Sequence, residues 1–392
     1  RPMAAAAPSD SKPEATWYKT AIAIFCFALG NVSLNYFNSW ALGHSDVPGV
    51  GRGGFNFPFF YTMFHMAASA TAALLLMLTC RKPPPGGLPH LAQLQSYAWQ
   101  LVPMAVLTMV NNGCNNWSLS LVSLVINQVI KVTAPLPTCL FEYILQGIVY
   151  NLQIYLTCCL LVAGAVMAVA ANIMASQAEG GSSAGVQVTP LGIAVCVVSL
   201  CAASLKPVIQ KIIMSGGKAL KDKPPLMPEQ AMFWDTLIAF FLFLLVWLVV
   251  GPAREGSMAY LMGQTANPNS GWVGLGIILS GSTMAFFFNV ATYYFIMYTS
   301  ALTSTIGSLG LKIGILTASG ITDHMSAPMA WVGIGLACVA IVLYGFFTWQ
   351  FKAAAKAQAE AAKATGTTDD PEKADKRETL LKDETTPLVK PG

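Results

Sequence analysis

The sequence predicts an all-α membrane protein with ten transmembrane helices, arranged as two inverted five-helix repeats. Three observations lead there. Charged residues make up 10% of the 392 and apolar residues 55%, whereas a soluble domain carries about 25% charged residues. Apolar stretches of roughly 20 residues, enough to cross a bilayer, recur ten times. A lysine stands inside the fourth stretch of each half, Lys131 and Lys312.

The stretches run over about 18–41, 56–80, 98–119, 121–144 and 152–175, then 189–213, 229–251, 272–298, 300–321 and 328–350. The third and fourth meet at Ser120, and the eighth and ninth near Tyr298, so both joins must be very tight turns. RKPPPGGLP, SQAEGGSSAG and SGGKALKDKPP are polar connectors after the second, fifth and sixth. Residues 1–17 read as a disordered cytosolic N-terminus without the apolar core of a signal peptide. Residues 18–350 form the ten-helix domain, with repeat one over about 18–175 and repeat two over about 189–350. Residues 351–392 form a cytosolic, largely disordered tail. Within it KAAAKAQAEAAKA reads as a short helix leaving the membrane, and Glu384, Leu388 and Val389 approximate an acidic dileucine sorting signal.

Orientation follows from the basic residues. With the N-terminus in the cytosol, that side receives Arg81, Lys82, Lys218, Lys221, Lys223 and the eight Lys and Arg after residue 350; the other receives Arg52 and Arg254. The positive-inside rule then puts both termini in the cytosol. Nine cysteines, most inside apolar stretches, read as small apolar filler, and four histidines form no cluster. No metal, other cofactor or nucleic-acid partner is expected.

Buried cations carry the functional signal. Lys131, Lys206 and Lys312 stand well inside apolar stretches; Lys211 lies nearer an end, where it can snorkel to the surface. Three lysines at mid-membrane would cost roughly 8–10 kcal/mol if unanswered. Glu142 and Asp235 are the acidic residues well inside the stretches, with Glu229 at an edge, and two interior acids are too few to neutralise all three. The lysines are therefore expected to face water or an anion; the alternative is that each snorkels or pairs. Ser120, Ser123, Asn127, Lys131, Thr138 and Glu142 share one helical face. Pro135 lacks the donor that would meet the Lys131 carbonyl, so the helix can kink there. Thr305, Ser308, Lys312 and Ser319 make a similar face in the ninth stretch. Five stretches per half make the second half inverted, and inverted repeats bind substrate near mid-membrane at their interface. Two corresponding lysines would meet there, and an anion would relieve their repulsion.

NWSLSLVSLVINQVIKVTAPLPT (116–138) resembles a segment of the nucleotide-sugar and triose-phosphate transporter family, within the drug/metabolite transporter superfamily. NVSLNYFNSW (31–40), FNFPFFYTMFHM (55–66), SLKPVIQKII (204–213) and NVATYYFIMYTSALTSTIGSLGLKIG (289–314) resemble further segments in the same order, over about 20–350. The resemblance implies a ten-helix antiporter exchanging a nucleotide sugar for a nucleoside monophosphate, or a sugar phosphate for phosphate. It also implies a substrate site at Asn31, Lys131, Lys206, Tyr293 and Lys312, with Gln128 and Asn116 behind them, and Tyr293 stacking on a base or bonding a phosphate. The expected partners are an anionic small-molecule substrate, its counter-substrate and membrane lipid; a homodimer is left open. The expected place is the Golgi or another endomembrane. The plastid fits less well, because plastid phosphate translocators carry an adjacent Lys-Arg pair where this chain has Lys312-Ile313, and every arginine here lies outside the stretches. Two other classes differ in kind: a non-transporting membrane receptor, and an intramembrane transferase. The transferase would need a positioned acid or base, and His65 and Asp235 stand isolated in the sequence.

Tags at both termini are expected to be accessible from the cytosol in selectively permeabilised cells. A tail tag protected until the internal membrane is opened would exclude the ten-span topology.

Overall fold

The computed structural model describes residues 14–41, 46–47, 51–52, 55, 57–79, 88–121, 127, 130–178, 190–215, 223–264, 270–322 and 328–365. Eleven helices are present among them. They are α1 (Glu14–Ser39), α2 (Pro58–Thr79), α3 (Leu91–Leu121), α4 (Pro135–Gln146), α5 (Leu152–Ala178) and α6 (Pro190–Ser215). There follow α7 (Pro228–Val249), α8 (Gly251–Leu261), α9 (Ser270–Tyr298), α10 (Ala301–Thr322) and α11 (Pro328–Thr365). Two-residue strands, β1 (Asp46–Val47) and β2 (Gly51–Arg52), pair antiparallel between α1 and α2.

Local chemistry explains the boundaries. Pro58, Pro135, Pro190, Pro228 and Pro328 each open a helix, where the missing N–H costs nothing and φ is already helical. Asn151 caps α5 by accepting the Ile154 N–H at 3.0 Å, and Gly147 closes α4 in the left-handed conformation at φ 69°.

Six helices are long and apolar enough to cross a membrane among the described residues: α1, α2, α6, α7, α9 and α11. They give the chain the build of a multi-pass membrane protein. Large apolar side chains such as Phe25, Leu156 and Val342 are exposed on the outside of the bundle, where lipid is the solvent.

The fourth apolar stretch does not form the continuous helix expected over 121–144. The third helix runs through Leu121, Ile130–Val132 are helical, Thr133 and Ala134 make a turn, and α4 starts at Pro135. Pro135 is the cause. The Lys131 carbonyl, deprived of that donor, accepts the Ala134 N–H at 3.2 Å instead. The polar face expected along one helix is therefore split. Thr138 donates to the Ala134 carbonyl at 2.8 Å, and Glu142 is buried near the far end of α4. Ser123 and Gln128 lie outside the described residues, as do Glu384, Leu388 and Val389. The side chains of Asn116, Ser120 and Lys312 do too, although their backbone is helical.

Three further features are local. The first helix starts at Glu14, inside the segment expected to be disordered. The last runs on through Thr365, so KAAAKAQAEAAKA is helical as expected and continuous with the tenth stretch. The connector before α9 holds α8.

The principal helix pairs are α5 with α11, α3 with α6, α2 with α7 and α1 with α9. Between lipid-immersed helices the hydrophobic effect is weak, so close approach through small residues takes its place. One such close crossing joins α5 and α11. A Cβ added to Gly164 would stand 2.7 Å from the Ala337 nitrogen and 2.9 Å from the Gly333 oxygen, and one on Gly333 would stand 2.6 Å from the Gly164 oxygen.

Gly333→Leu is expected to lower the thermal midpoint of the detergent-purified protein, with an overpacking cost of at least 1–3 kcal/mol. Gly335→Leu, two residues along the same helix where an added Cβ meets nothing within 4 Å, is expected to leave the midpoint unchanged. Equal midpoints for the two would show that the crossing relaxes.

Candidate functional site

A cavity of about 340 Å³ opens in the middle of the bundle, within the size range of small-molecule sites. Seven helices, α1, α2, α3, α6, α7, α9 and α10, contribute to its wall, and so does the Lys131–Ala134 break. Broken backbone at membrane depth is tolerated where it is enclosed by protein or lines a cavity, which is where Pro135 places it. Lys131 lies on the wall and is half-buried. On α10, Thr305 and Ser308 line the cavity. Lys312 follows four residues after Ser308 in the same helix, so its backbone sits on the face that those residues define.

Much of the wall is amide. Asn31 and Asn38 reach it from α1, Asn111, Asn112 and Asn115 from α3, and Asn289 from α9. The wall is braced from behind. Tyr61 donates to Asn38 at 2.9 Å, Asn289 to the Ser69 hydroxyl at 2.9 Å, and the Ser199 hydroxyl lies 3.1 Å from the Asn111 amide oxygen. Two buried nitrogens on the wall, His65 Nε2 and Gln210 Nε2, have no hydrogen-bond partner among the described residues.

One carboxylate joins four helices. Asp235 on α7 is fully buried and lies 3.0 Å from the Lys206 ammonium on α6. Thr108 on α3 donates to it at 2.7 Å, and Tyr293 on α9 at 2.6 Å.

A family model described as the Triose-phosphate Transporter family matches residues 19–345. This chain belongs to the Triose-phosphate Transporter family. Two relatives from Arabidopsis thaliana are similar to it. A probable sugar phosphate/phosphate translocator is 23% identical over 299 residues, 74% of this chain and 73% of its own. UDP-uronic acid transporter 1 is 24% identical over 294 residues, 74% of this chain and 86% of its own. A protein crystal structure shares the fold at a TM-score of 0.53 and 13% identity, over 85% of this chain and 99% of that one. As a member of the Triose-phosphate Transporter family, the protein is a membrane transporter.

In this transporter Asn31, Lys131, Lys206 and Tyr293 come together around one cavity. Two of them are engaged within the protein, Lys206 by the pairing that the sequence left open as an alternative. Lys206 is answered from within the protein by Asp235, and the Tyr293 hydroxyl is committed to the same carboxylate. The residues that sequence reasoning missed are the Asn111, Asn112 and Asn115 set, together with Gln210 and Asp235 itself. A signal for the first was present: NNGCNN is an unusual run of amides inside an apolar stretch.

Lys211 corrects a second expectation. It does not snorkel; it is 3% exposed and donates to the Met297 carbonyl at 3.2 Å and the Thr299 carbonyl at 2.7 Å. These oxygens belong to the C-terminal end of α9, where helix carbonyls lack partners. Two residues later α10 begins, and there Glu142 accepts the Leu302 N–H at 3.3 Å while also taking the Tyr150 hydroxyl at 2.8 Å. A cation at a helix C-terminus and an anion at a helix N-terminus both match the helix dipole. The tight α9–α10 join is held by this pair of opposite charges, one from α6 and one from α4.

Lys211→Met is expected to destabilise the protein by about 1.5–3 kcal/mol, the range for a lost hydrogen bond to a charged group. Glu142→Gln, which keeps an acceptor and loses the charge, should cost less. Thermal unfolding in detergent measures both; a midpoint unmoved by Lys211→Met would show that the α9 carbonyls find another donor.

Proposed function

We propose that the protein is a secondary-active antiporter that moves a nucleotide sugar across an internal membrane in exchange for a nucleoside monophosphate. The observation that carries this reading is the cavity wall, which combines a lysine at a helix break with amides from three helices. A lysine supplies a point charge for phosphate. Asparagine both donates and accepts, which suits sugar hydroxyls and the edge of a base. Lys131 and Lys312 are the proposed phosphate contacts, with Asn31 and Tyr293 beside them and Gln128 and Asn116 completing the site.

Ten spans in two inverted repeats are part of the proposal. The order of apolar stretches makes α1 the counterpart of α6, α2 of α7, α3 of α9 and α5 of α11. Exchanging the halves then turns the α3–α6 pair into the α9–α1 pair and leaves α2–α7 and α5–α11 unchanged. All four are principal pairs, which supports a two-fold relation. Membership in the family, whose matched relatives include UDP-uronic acid transporter 1, supports the substrate class. An endomembrane location with both termini cytosolic belongs to the same reading.

A second reading is sugar-phosphate/phosphate exchange, favoured by the similarity to a probable sugar phosphate/phosphate translocator. Uptake into proteoliposomes, preloaded with nucleoside monophosphate or phosphate, against a panel of nucleotide sugars and sugar phosphates separates the two. Nucleotide-sugar uptake that needs internal nucleoside monophosphate is the expected result; uptake only of sugar phosphates against phosphate would replace the first reading by the second.

Lys131→Ala and Lys312→Ala are each expected to weaken substrate binding about 10- to 150-fold, the equivalent of roughly 1.5–3 kcal/mol per charged contact. The double variant should nearly abolish exchange. Normal exchange by Lys131→Ala, measured with labelled substrate, would remove that lysine from the site.

A further inference from the structure

We infer that Asp235 sets the net charge of the cavity, and so the charge of the anion the transporter accepts, by holding Lys206 as a neutral pair. The inference rests on the anion-transport reading above and goes beyond it, because it assigns the discrimination between anions to a residue that does not touch them.

Lys206 is part of the cavity wall, and its side chain is 18% exposed. Asp235 stands behind it with a fully buried side chain, 3.0 Å away. The carboxylate is fixed from two other directions, by Thr108 at 2.7 Å and Tyr293 at 2.6 Å. A buried ion pair gains little stability, since desolvation offsets the attraction; what it changes with certainty is the charge that a ligand meets. Whatever the other lysines do, Asp235 subtracts one positive charge from the wall. In a site screened less than bulk water, one unit charge at close range changes the affinity of an anion steeply, and more steeply the more negative the anion is. Asp235 acts through Lys206 and is a positioning residue.

The test is a charge ladder read on paired probes: inorganic phosphate against pyrophosphate, and the monophosphates of uridine and guanosine against their diphosphates. Each pair differs by an added phosphate charge. Binding to the purified full chain is measured in competition at fixed ionic strength, and the diphosphate-to-monophosphate affinity ratio is the readout. Asp235→Asn, which adds one net positive charge, should raise that ratio by about tenfold. Lys206→Met, which leaves Asp235 uncompensated, should lower it by a similar factor. The double variant Lys206→Met/Asp235→Asn restores the wild-type net charge; its absolute affinity falls, yet its ratio should return to the wild-type value. Should Asp235→Asn fail to fold, Lys206→Met and the double variant still form a two-step ladder. A ratio that is the same in every folded variant, with thermal stability alone changing, makes the pair structural and overturns the inference. A wild-type protein that binds none of the probes overturns the anion-transport reading instead.

Discussion

A charge or an open helix end inside a bilayer-spanning protein must be answered, because lipid cannot solvate it. This constraint organises the molecule. Asp235 collects Lys206, Thr108 and Tyr293 from three helices and thereby ties α7 to α6, α3 and α9. Lys211 and Glu142 answer the two helix ends at the α9–α10 join. The Pro135 break is answered locally, by the Ala134 N–H on the Lys131 carbonyl, and the space beside it is cavity. The first two solutions draw on helices distant in sequence, so these polar groups help to specify the bundle along with the apolar ones.

Packing and chemistry divide along the same lines. Where helices meet without polar groups, small residues bring them together, as at Gly164 and Gly333. One apolar cluster joins α3, α6, α7 and α9 around Met104, Ile213, Met232 and Trp234; another joins α4, α5, α10 and α11 around Ile154, Leu161, Ile306 and Ile334. A third, rich in aromatics, gathers Phe55, Phe60, Tyr61, Phe243 and Tyr260 near α8. The cavity lies between α1, α2, α3, α6, α7, α9 and α10, and the first of these clusters backs much of its wall.

The two kinds of lysine show how much of the site was legible. Lys131 and Lys206 both stand in apolar stretches, and hydropathy treats them alike. One lies at a helix break on the cavity wall; the other is held by an acid that hydropathy marks only as a lone polar residue. Lys206 and Lys211 are five residues apart on α6, about 140° around the helix. One faces the cavity and the other the end of α9. No periodicity in the apolar residues distinguishes them, because both flank the same buried face.

The sequence by itself determined that the chain enters the membrane, where its apolar stretches lie and where the fourth stretch can kink. These are local consequences of composition, of stretch length and of proline's missing N–H. Tertiary structure alone decided that Asp235 answers Lys206, that Glu142 serves a helix end, and that asparagines from three helices share one wall. Those outcomes depend on the rotation of each helix about its axis, where one residue turns a side chain through 100°, and that rotation is set by contacts with helices far away in sequence.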